Sequence, residues 1–513
     1  MAELLSKELN AISKESGTNI LKRAPQPEAL KLIPETWARK YTALPLELEQ
    51  HTLHVAMANP ADIFALEALA TKSQMHIEPE IANAEDIQRA IDLNYKDYVE
   101  IEKRISSIQL PTIAGTGEDN IDTAIDAPIS QALTLIIDEA VKSWASDIHL
   151  EPQEDKLRVR YRIDGTLHDT LSLPLMAAAP LISRIKILAD MNIADHHRPQ
   201  DGQFSIEAKG RLLDIRVGTT PTVYGEMVAL RLLDKSRSTM TLTELGYFPE
   251  SLERYEKMLK VPHGMILISG PTGAGKTTTL YASVNTLDCI GRKIITVEDP
   301  VEYRFKNINQ IQVNTRADIT FASGLRSVLR LDPDVILIGE IRDAETANIA
   351  VQSALTGHLV LSSIHANDAI GVILRLIDLG IEPFLVSSAL IGVVAQRMVR
   401  RICSDCAQPI NVPLVEQIAY SKETGEERDE FQYGTGCQSC YHTGYRGRTG
   451  IFEILSMTDQ LRLMLLNNAP PNQIRNQAIE EGMITLIKDG MFKVQSGLTT
   501  PSEVLRNAYS VDQ

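Results

Sequence analysis

The alternation of apolar and polar residues divides the first 400 residues into three periodic regions, with one stretch that has no clear period. In the first region, residues 51–58 (HTLHVAMA) alternate with period two, as a half-buried strand does. Residues 62–70 (DIFALEALA) and 85–98 have the spacing of amphipathic helices. We therefore predict a small α+β domain over residues 1–105, and we interpret it as a docking module because no residue in it suggests catalysis.

The stretch without a period is residues 106–127 (SSIQLPTIAGTGEDNIDTAIDA). It is rich in Ser, Thr, Gly and acidic residues and has few large apolar side chains. Because such a composition cannot bury much apolar surface, we predict a flexible linker.

The second region, residues 128–238, predicts a helix followed by antiparallel strands. Apolar residues between Ile129 and Val141 recur at helical spacing. Residues 146–152 and 156–163 alternate as strands, and the Asp164-Gly165 pair after them is typical of a tight hairpin turn. Further predicted elements are a helix over residues 177–191 and strands over residues 212–217 and 226–233. Several strand positions are arginines, which either cover a solvated face or reach phosphate groups.

Short apolar strands and helical segments alternate in the third region, residues 239–400. The predicted strands cover residues 265–268, 293–298, 335–339 and 358–364. Alternation of this kind is typical of a parallel sheet covered by helices on both faces. After a cysteine-containing segment at residues 401–445, we predict a helical C-terminal region over residues 446–513. The chain is therefore predicted to be a multidomain α/β protein.

A complete phosphate-binding loop pattern, GxxxxGKT, follows the first strand of the third region. The apolar strand before it and the helix predicted for residues 277–287 after it provide the context that a bare glycine-rich turn lacks. Backbone N–H groups of such a loop surround phosphate oxygens, the lysine adds a positive charge, and the threonine hydroxyl can bind Mg²⁺. The predicted nucleotide-binding residues are Gly270, Pro271, Thr272, Gly273, Ala274, Gly275, Lys276, Thr277 and Thr278, with Thr277 as the Mg²⁺ ligand.

Carboxylates stand where two further strands of this region end. Glu340 follows the run VILIG, and Glu298 ends the preceding strand. Because α/β sheets bind ligands at the carboxyl edge of their strands, we predict that these groups act on water or Mg²⁺ there, rather than lie on an ordinary surface. His358 and His365 flank another strand, and we predict His365 as a γ-phosphate sensor, with a structural role as the alternative.

Four of the five cysteines form two C-x2-C pairs, at Cys403/Cys406 and Cys437/Cys440. In a reducing compartment this spacing predicts a four-cysteine Zn²⁺ site of structural type, and a site that has lost its metal is the alternative. Cys289 stands alone and is predicted to be a small buried hydrophobe.

Composition and charge exclude several classes of protein. The formal charge of −16 argues against a nucleic-acid coat that binds by neutralising phosphates. No apolar run reaches the ~18 residues of a membrane span, and the N-terminus lacks the apolar core of a signal peptide. We expect a cytoplasmic protein whose membrane contact is peripheral.

The motifs of the third region, taken in order, resemble those of one protein family. Residues 270–277 (GPTGAGKT), 297–303 (VEDPVEY), 337–343 (LIGEIRD) and 356–368 (TGHLVLSSIHAND) resemble the Walker A, Asp box, Walker B and His box of the type II secretion/type IV pilus assembly ATPases. Residues 146–152 (SDIHLEP), the tetracysteine segment and residues 444–450 (GYRGRTG) resemble further signatures of this family. The resemblance covers about residues 128–510.

The resemblance implies a RecA-like core and a PAS-like α+β middle domain in a ring-shaped homohexamer, with ATP bound between the two. It implies ATP, Mg²⁺ and Zn²⁺ as cofactors, Glu340 as the principal catalytic carboxylate, and Glu298 as its assistant. The family's retraction motors typically lack the tetracysteine segment and the extra N-terminal domain, so the assembly branch is favoured. The implied partners are an inner-membrane platform protein and an adaptor at the membrane, which the N-terminal domain would contact.

The run at residues 198–202 (RPQDG) resembles the family pattern Arg-x-Pro-Gln-Asp-Gly-Arg, with two departures. His197 stands where the family has its first arginine, and Gln203 where many members have the last. We predict Arg198 as an arginine finger and Arg216 as a second.

Two other functions remain open from the sequence. One is a nucleic-acid motor or a RecA-like ATPase of DNA uptake, against which the acidity and the lack of a basic, aromatic-interleaved stretch count. The other is a nucleotide-gated scaffold that hydrolyses poorly, for which His197 and Gln203 are the motivation.

Overall fold

The structure is a computed structural model, and it describes residues 25–49, 51–88, 90–91, 95, 121–234, 240–441 and 443–508. The chain forms two compact units, which divide between residues 235 and 236. The first unit contains two hydrophobic core clusters in separate parts of the chain, between residues 29 and 95 and between residues 129 and 230. Among the described residues, no helix combines the length and the apolarity that a bilayer span requires.

The first unit begins with a small α+β fold. Its elements are α1 (Pro27–Leu32), α2 (Glu35–Tyr41), β1 (Ala43–Glu49), β2 (Thr52–Met57), α3 (Ile63–Ser73) and β3 (His76–Ile81). β2 pairs antiparallel with β1 and parallel with β3, and Asp62 caps α3 by accepting from the backbone N–H of Ala65 at 3.0 Å. The predicted strand and first helix are confirmed. Of the helix predicted for residues 85–98, residues 85–88 are helical, and most of the rest lies outside the described residues.

An antiparallel sheet follows in the same unit. Its elements are α4 (Ile121–Lys142), β4 (Ala145–Pro152), β5 (Lys156–Ile163), β6 (Thr166–Pro174), α5 (Ala178–Leu188), β7 (Gln200–Ala208), β8 (Arg211–Thr222) and β9 (Gly225–Asp234). The six strands lie in the order β6-β5-β4-β9-β8-β7. Asp164 and Gly165 both have positive φ, 47° and 86°, as the predicted hairpin turn requires. Strands β6 and β7 were not predicted.

The linker prediction is wrong for residues 121–127, which form the start of α4. The middle domain was predicted to begin at residue 128, but the helix begins at Ile121 and continues through Pro128. Residues 106–120 of the predicted linker lie outside the described residues.

The second unit is built on a seven-stranded sheet. Its elements before the cysteine segment are α6 (Pro249–Leu259), β10 (Gly264–Ser269), α7 (Lys276–Thr286), β11 (Ile294–Glu298), β12 (Asn309–Gln312), α8 (Phe321–Val328), β13 (Val335–Ile341), α9 (Ala344–Leu355), β14 (Leu359–Ile364), α10 (Ala369–Asp378), α11 (Pro383–Ala389) and β15 (Leu390–Ile402). The first six strands of the order β12-β11-β13-β14-β10-β15-β18 are mutually parallel. Apolar residues of alternate parity fill two core clusters, one on each face, as the predicted buried parallel sheet requires.

The cysteine segment and the C-terminal part complete this unit. Their elements are β16 (Ala407–Asn411), α12 (Leu414–Thr424), β17 (Glu430–Gly434), β18 (Tyr445–Ser456), α13 (Asp459–Leu466), α14 (Pro471–Glu480), α15 (Leu486–Gln495) and α16 (Pro501–Ala508). The helical C-terminus is confirmed from Asp459 onward. Residues 446–456, predicted as part of that helical region, instead form β18, which pairs antiparallel with β15 at the edge of the sheet. Its residues 449–455 are all buried, and a short continuous buried run has no period that separates a strand from a helix.

Candidate nucleotide-binding site

The loop between β10 and α7 has the backbone that its glycines allow. Gly273 and Gly275 have φ of +79° and +85°, a conformation that residues with a Cβ rarely adopt. A Cβ at Gly270 would lie 2.4 Å from the carbonyl oxygen of Gln396, so only glycine fits there. Helix α7 begins at Lys276, directly after the loop. The strand–loop–helix context is therefore the one in which backbone N–H groups and a helix N-terminus bind phosphate.

Lys276 folds over the loop it follows. Its Nζ donates to the carbonyl oxygens of Gly270 at 2.7 Å and Pro271 at 3.2 Å. Burial lowers the pKa of Lys276, while the nearby Glu340 carboxylate acts to raise it. Thr277, the predicted Mg²⁺ ligand, is the second residue of α7 and is exposed. The lysine and the hydroxyl thus stand at the same loop, as phosphate and metal binding requires.

Glu340 and His365 lie together on neighbouring parallel strands. Glu340 is near the end of β13, and one of its oxygens lies 3.6 Å from Nε2 of His365, which follows β14. Its other oxygen accepts from Arg342. Burial, and then the charge of Lys276, lowers the pKa of His365, which favours the neutral imidazole. His358 is at the opposite end of β14, with Nδ1 2.9 Å from the carbonyl oxygen of Ser353.

Glu298 is placed differently from Glu340. It is only 3% exposed, and its carboxylate accepts from Tyr281, from Thr296 at 2.5 Å and from Gln310 at 3.1 Å. Tyr281 belongs to α7, so this carboxylate ties the helix after the phosphate-binding loop to the end of β11. Three internal donors hold this carboxylate in place, so it can position α7 relative to the end of β11. Its assisting role in catalysis stays a prediction.

Sequence reasoning missed Gln396, which braces the phosphate-binding loop from β15. Its Nε2 donates to the carbonyl oxygen of Ala274 at 2.7 Å, and its Oε1 accepts from the hydroxyl of Thr279 at 2.9 Å. The side chain is 1% exposed. Both partners are more than a hundred residues earlier in the chain, so no local pattern could have found this contact. The next residue, Arg397, donates to the carbonyl oxygen of Asn367 at 2.8 Å.

The two predicted arginine fingers belong to the first unit. Arg198 lies in the loop between α5 and β7, and its side chain is 84% exposed. Arg216 lies in the middle of β8, where its register partners are Gln203 of β7 and Arg231 of β9.

The four predicted zinc ligands form one cluster. Their Sγ atoms all lie within 4.8 Å of one another, and the pairs Cys403–Cys437 and Cys406–Cys440 are 3.7 Å and 3.8 Å apart. These distances are far longer than a disulfide bond. Four sulfurs that surround one ion at about 2.3 Å in a tetrahedron lie about 3.8 Å from each other. The donor set therefore fits a tetrahedral Zn²⁺ ion.

Comparison with known proteins decides the family. Residues 122–506 match the model of the type II/IV secretion system protein family. The chain belongs to this family. Residues 18–99 match the MshEN domain. The predictions of the family, of a P-loop ATPase and of a RecA-like core are thereby confirmed.

Two curated relatives of the family match almost the whole chain. The type IV pilus assembly ATPase PilB of Myxococcus xanthus is 40% identical over 517 residues, covering 98% of this chain and 91% of its own. The type II secretion system protein E of Pectobacterium carotovorum is 41% identical over 497 residues, covering 93% and 97%. Among solved structures of similar fold, the pilus retraction motor PilT with bound ADP has a TM-score of 0.50 at 25% identity and covers 74% of this chain and 97% of its own.

Proposed function

We propose that this chain is a homohexameric ATPase that drives assembly of a type IV pilus or of a type II secretion pseudopilus. The observation that carries the proposal is the match of nearly the whole chain, N-terminal domain included, to a pilus assembly ATPase and to a type II secretion protein E. Both the tetracysteine cluster and the N-terminal domain, which favour the assembly branch, are part of the chain.

In the proposed site, residues 270–278 hold the phosphates of ATP, and Thr277 binds Mg²⁺. Glu340 orients the attacking water, and its contact with His365 supports a sensor role for this histidine. Glu298 connects the end of β11 to α7 by accepting a hydrogen bond from Tyr281, which supports an assisting role. Arg198, and secondarily Arg216, supply positive charge to the transferred phosphate as arginine fingers.

Zn²⁺ in the tetracysteine cluster would have a structural role. Four thiolates complete its coordination, so no position is left for a substrate or for water. The spacing and proximity of the four sulfurs support this assignment.

We further propose that the ATPase works at the inner face of the cytoplasmic membrane, through an inner-membrane platform protein and an adaptor. The N-terminal domain is the proposed contact for the adaptor. Direct binding of nucleic acid is not favoured, because the charge of −16 opposes it and the relatives are named for pili and secretion.

The variant Glu340→Gln tests the catalytic assignment in purified protein. We expect phosphate release to fall by roughly 100-fold or more, because the amide no longer carries the charge that orients the water, while ATP binding and the thermal midpoint stay unchanged. The matched control is Glu345→Gln, on the neighbouring helix α9, where the side chain is exposed and pairs with Arg326. Turnover at the wild-type rate in Glu340→Gln contradicts the assignment.

The same variant distinguishes the two machines in the native cell. Loss of surface pili with an unchanged set of exported proteins identifies a pilus assembly motor. Intact pili with exported proteins trapped in the cell identify the secretion ATPase. Loss of neither, with a catalytically dead protein, contradicts both.

A further inference from the structure

A loop without regular structure joins α5 to β7 and carries the exposed Arg198. Connecting loops of this kind are usually the more mobile parts of a fold. Here, by contrast, a group of buried and half-buried polar side chains contacts the loop from the helix and the sheet. None of these side chains has a role in the nucleotide site described above.

The first contact is a buried ion pair. Lys186 of α5 and Glu226 of β9 are 0% and 8% exposed. The Nζ of Lys186 lies 2.6 Å and 2.8 Å from the two carboxylate oxygens of Glu226, and it also donates to the carbonyl oxygen of Asp195 at 2.8 Å. A buried charge is costly unless a partner compensates it. Glu226 does so, and the ammonium group still donates one hydrogen bond to the loop.

The same carboxylate also contacts the loop directly. One oxygen of Glu226 lies 2.8 Å from Nδ1 of His196. Glu226 therefore connects the helix, the sheet and the residue two positions before Arg198. Its position on β9 is set by the antiparallel ladder with β8, in which Glu226 pairs with Pro221.

Gln200, the first residue of β7, closes the loop from its other end. Its Oε1 accepts from the N–H of Asn192 at 2.9 Å, and its Nε2 donates to the carbonyl oxygens of Asn192 at 2.9 Å and Asp195 at 2.8 Å. A Cβ at Gly202 would lie 2.4 Å from the carbonyl oxygen of Ala189, so the base of the loop packs directly on the strand. Two residues of the RPQDG run, Gln200 and Gly202, thus contact the loop itself and fix its backbone.

The end of the loop is fixed by Asp195. Its side chain accepts from the backbone N–H of His197 at 3.0 Å, and it lies 4.0 Å from Nε of Arg198. The backbone of residues 195–198 is therefore held, while the guanidinium group of Arg198 extends into solvent.

We propose that Lys186, Glu226 and Gln200 are positioning residues that hold residues 195–198 in one conformation, so that Arg198 meets the phosphate of ATP at a fixed place. This inference rests on the arginine finger role proposed above. A charge that is already in place costs no reorganisation during the reaction, and a small displacement is enough to slow the reaction severely.

The test compares four variants of the full chain. The double variant Lys186→Met/Glu226→Gln removes both charges with little change in volume, so no unpaired charge stays buried. We expect kcat for ATP to fall about tenfold with KM unchanged, and amide hydrogen exchange of residues 190–198 to rise. Tyr161→Phe is the matched control, because it removes a buried hydrogen bond to the carbonyl oxygen of Ile136 in the same domain without touching the loop. It should leave both measurements unchanged.

Arg198→Ala separates this inference from the function on which it rests. If Arg198→Ala keeps wild-type turnover, the finger assignment itself is wrong. If Arg198→Ala is slow but the double variant is normal, the finger stands and the positioning role is wrong. When all three substitutions are combined, we expect no further loss beyond that of Arg198→Ala, since both changes act through one guanidinium group. An additive loss overturns the inference.

Discussion

The nucleotide-binding edge and the tetracysteine cluster lie in the same unit, yet they hold their chemical groups by different means. At the nucleotide-binding edge, the loop follows β10, a strand whose six residues are all buried between two apolar layers. The position of Lys276 and Glu340 is therefore set by parallel strands that the core already stabilises. We expect substitution of either side chain to abolish its chemical role while the strands keep their pairing.

The tetracysteine cluster lies in a segment that has only a small hydrophobic core. All five residues of β16 are exposed. Among the described residues of the segment, Val412, Tyr420 and Phe431 are buried in a core that the segment shares with the C-terminal helices, and Ala419 and Tyr433 pack against this core. A part this small is usually stabilised by a metal ion or by disulfides. The two regions therefore differ in what stabilises them. The nucleotide-binding edge is positioned by the core of the sheet, whereas we expect the segment around the tetracysteine cluster to depend on a bound metal ion for its stability.

The largest effect that this comparison predicts follows from loss of the cysteines. In Cys403→Ser/Cys406→Ser, we expect bound zinc to fall from about one per chain to none, and residues 403–441 to become sensitive to protease. A structural Zn²⁺ ion contributes on the order of 10 kcal/mol to the folding of a small domain, so its loss should unfold the segment. Metal analysis and limited proteolysis measure the two effects.

Cys289→Ser is the matched control, because Cys289 belongs to no cysteine cluster among the described residues. It should change neither measurement. Full zinc content in the double variant, or a fully protected segment without zinc, would contradict the comparison.

A smaller effect is expected at the connection between the two regions. Glu503 is buried and accepts from Arg400 at 2.5 Å, where β15 leads toward Cys403. Burial raises the pKa of the Glu503 carboxyl, but the hydrogen bonds and charge of Arg400 outweigh it, so the net pKa is lowered. Glu503→Gln should reduce the free energy of unfolding by about 2 kcal/mol at pH 7.

The sign of the pH dependence follows from that lowered pKa. Because the unfolded state binds the proton more readily, the stabilisation is present above the ordinary pKa of 4.5 and is lost as pH falls through the lower folded value. Thermal midpoints of the wild type and Glu503→Gln should therefore converge below about pH 4. Glu427→Gln, at an exposed position of the cysteine segment, should show no such convergence. A constant difference at every pH would rule out the ion pair as the cause.

The smallest effect concerns the frame of the nucleotide-binding edge. Gln396→Met keeps the size of the side chain but loses both contacts that brace the phosphate-binding loop. We expect the affinity for a fluorescent ATP analogue to fall about tenfold, close to 1.4 kcal/mol, while the fold is kept. Gln352→Met, at an exposed position of α9, is the control. Unchanged affinity in Gln396→Met would show that the contacts of Gln396 with the phosphate-binding loop do not contribute to nucleotide binding.

The strand, loop and helix of the nucleotide-binding edge could be predicted because their sequence pattern is local. Gly270 follows β10 directly, Lys276 and Thr277 begin the next helix, and Glu340 stands one residue before the end of β13. Parallel pairing of the strands then places these strand ends at the same edge of the sheet. The clustering of the four cysteines was predictable for a similar reason, since two C-x2-C pairs are typical of a four-cysteine zinc site.

Contacts between distant parts of the chain were not predictable from one sequence. The bonds of Gln396 cross more than a hundred residues, and an isolated glutamine in a strand has no distinguishing pattern. Strand β18 was missed because its buried run shows no period, and the start of α4 because its composition is that of a linker. In the loop at Arg198, Gln200 and Gly202 were recognised by resemblance alone, and only the packing against Ala189 and Asn192 explains them.

The attachment of the cysteine segment has a consequence for how such a chain can be rearranged. The segment leaves the sheet at the end of β15 and returns at β18, and these two strands are hydrogen-bonded neighbours. The N–H of Cys403 donates to the carbonyl oxygen of Gly444 at 3.0 Å, so entry and exit lie side by side. A turn of a few residues could bridge that distance and leave every strand of the sheet in its register. The segment is thus an insertion in a hairpin, and its loss or exchange would also require new surface residues on the C-terminal helices, because Val412, Tyr420 and Phe431 share a buried core with Met491, Val494 and Val504.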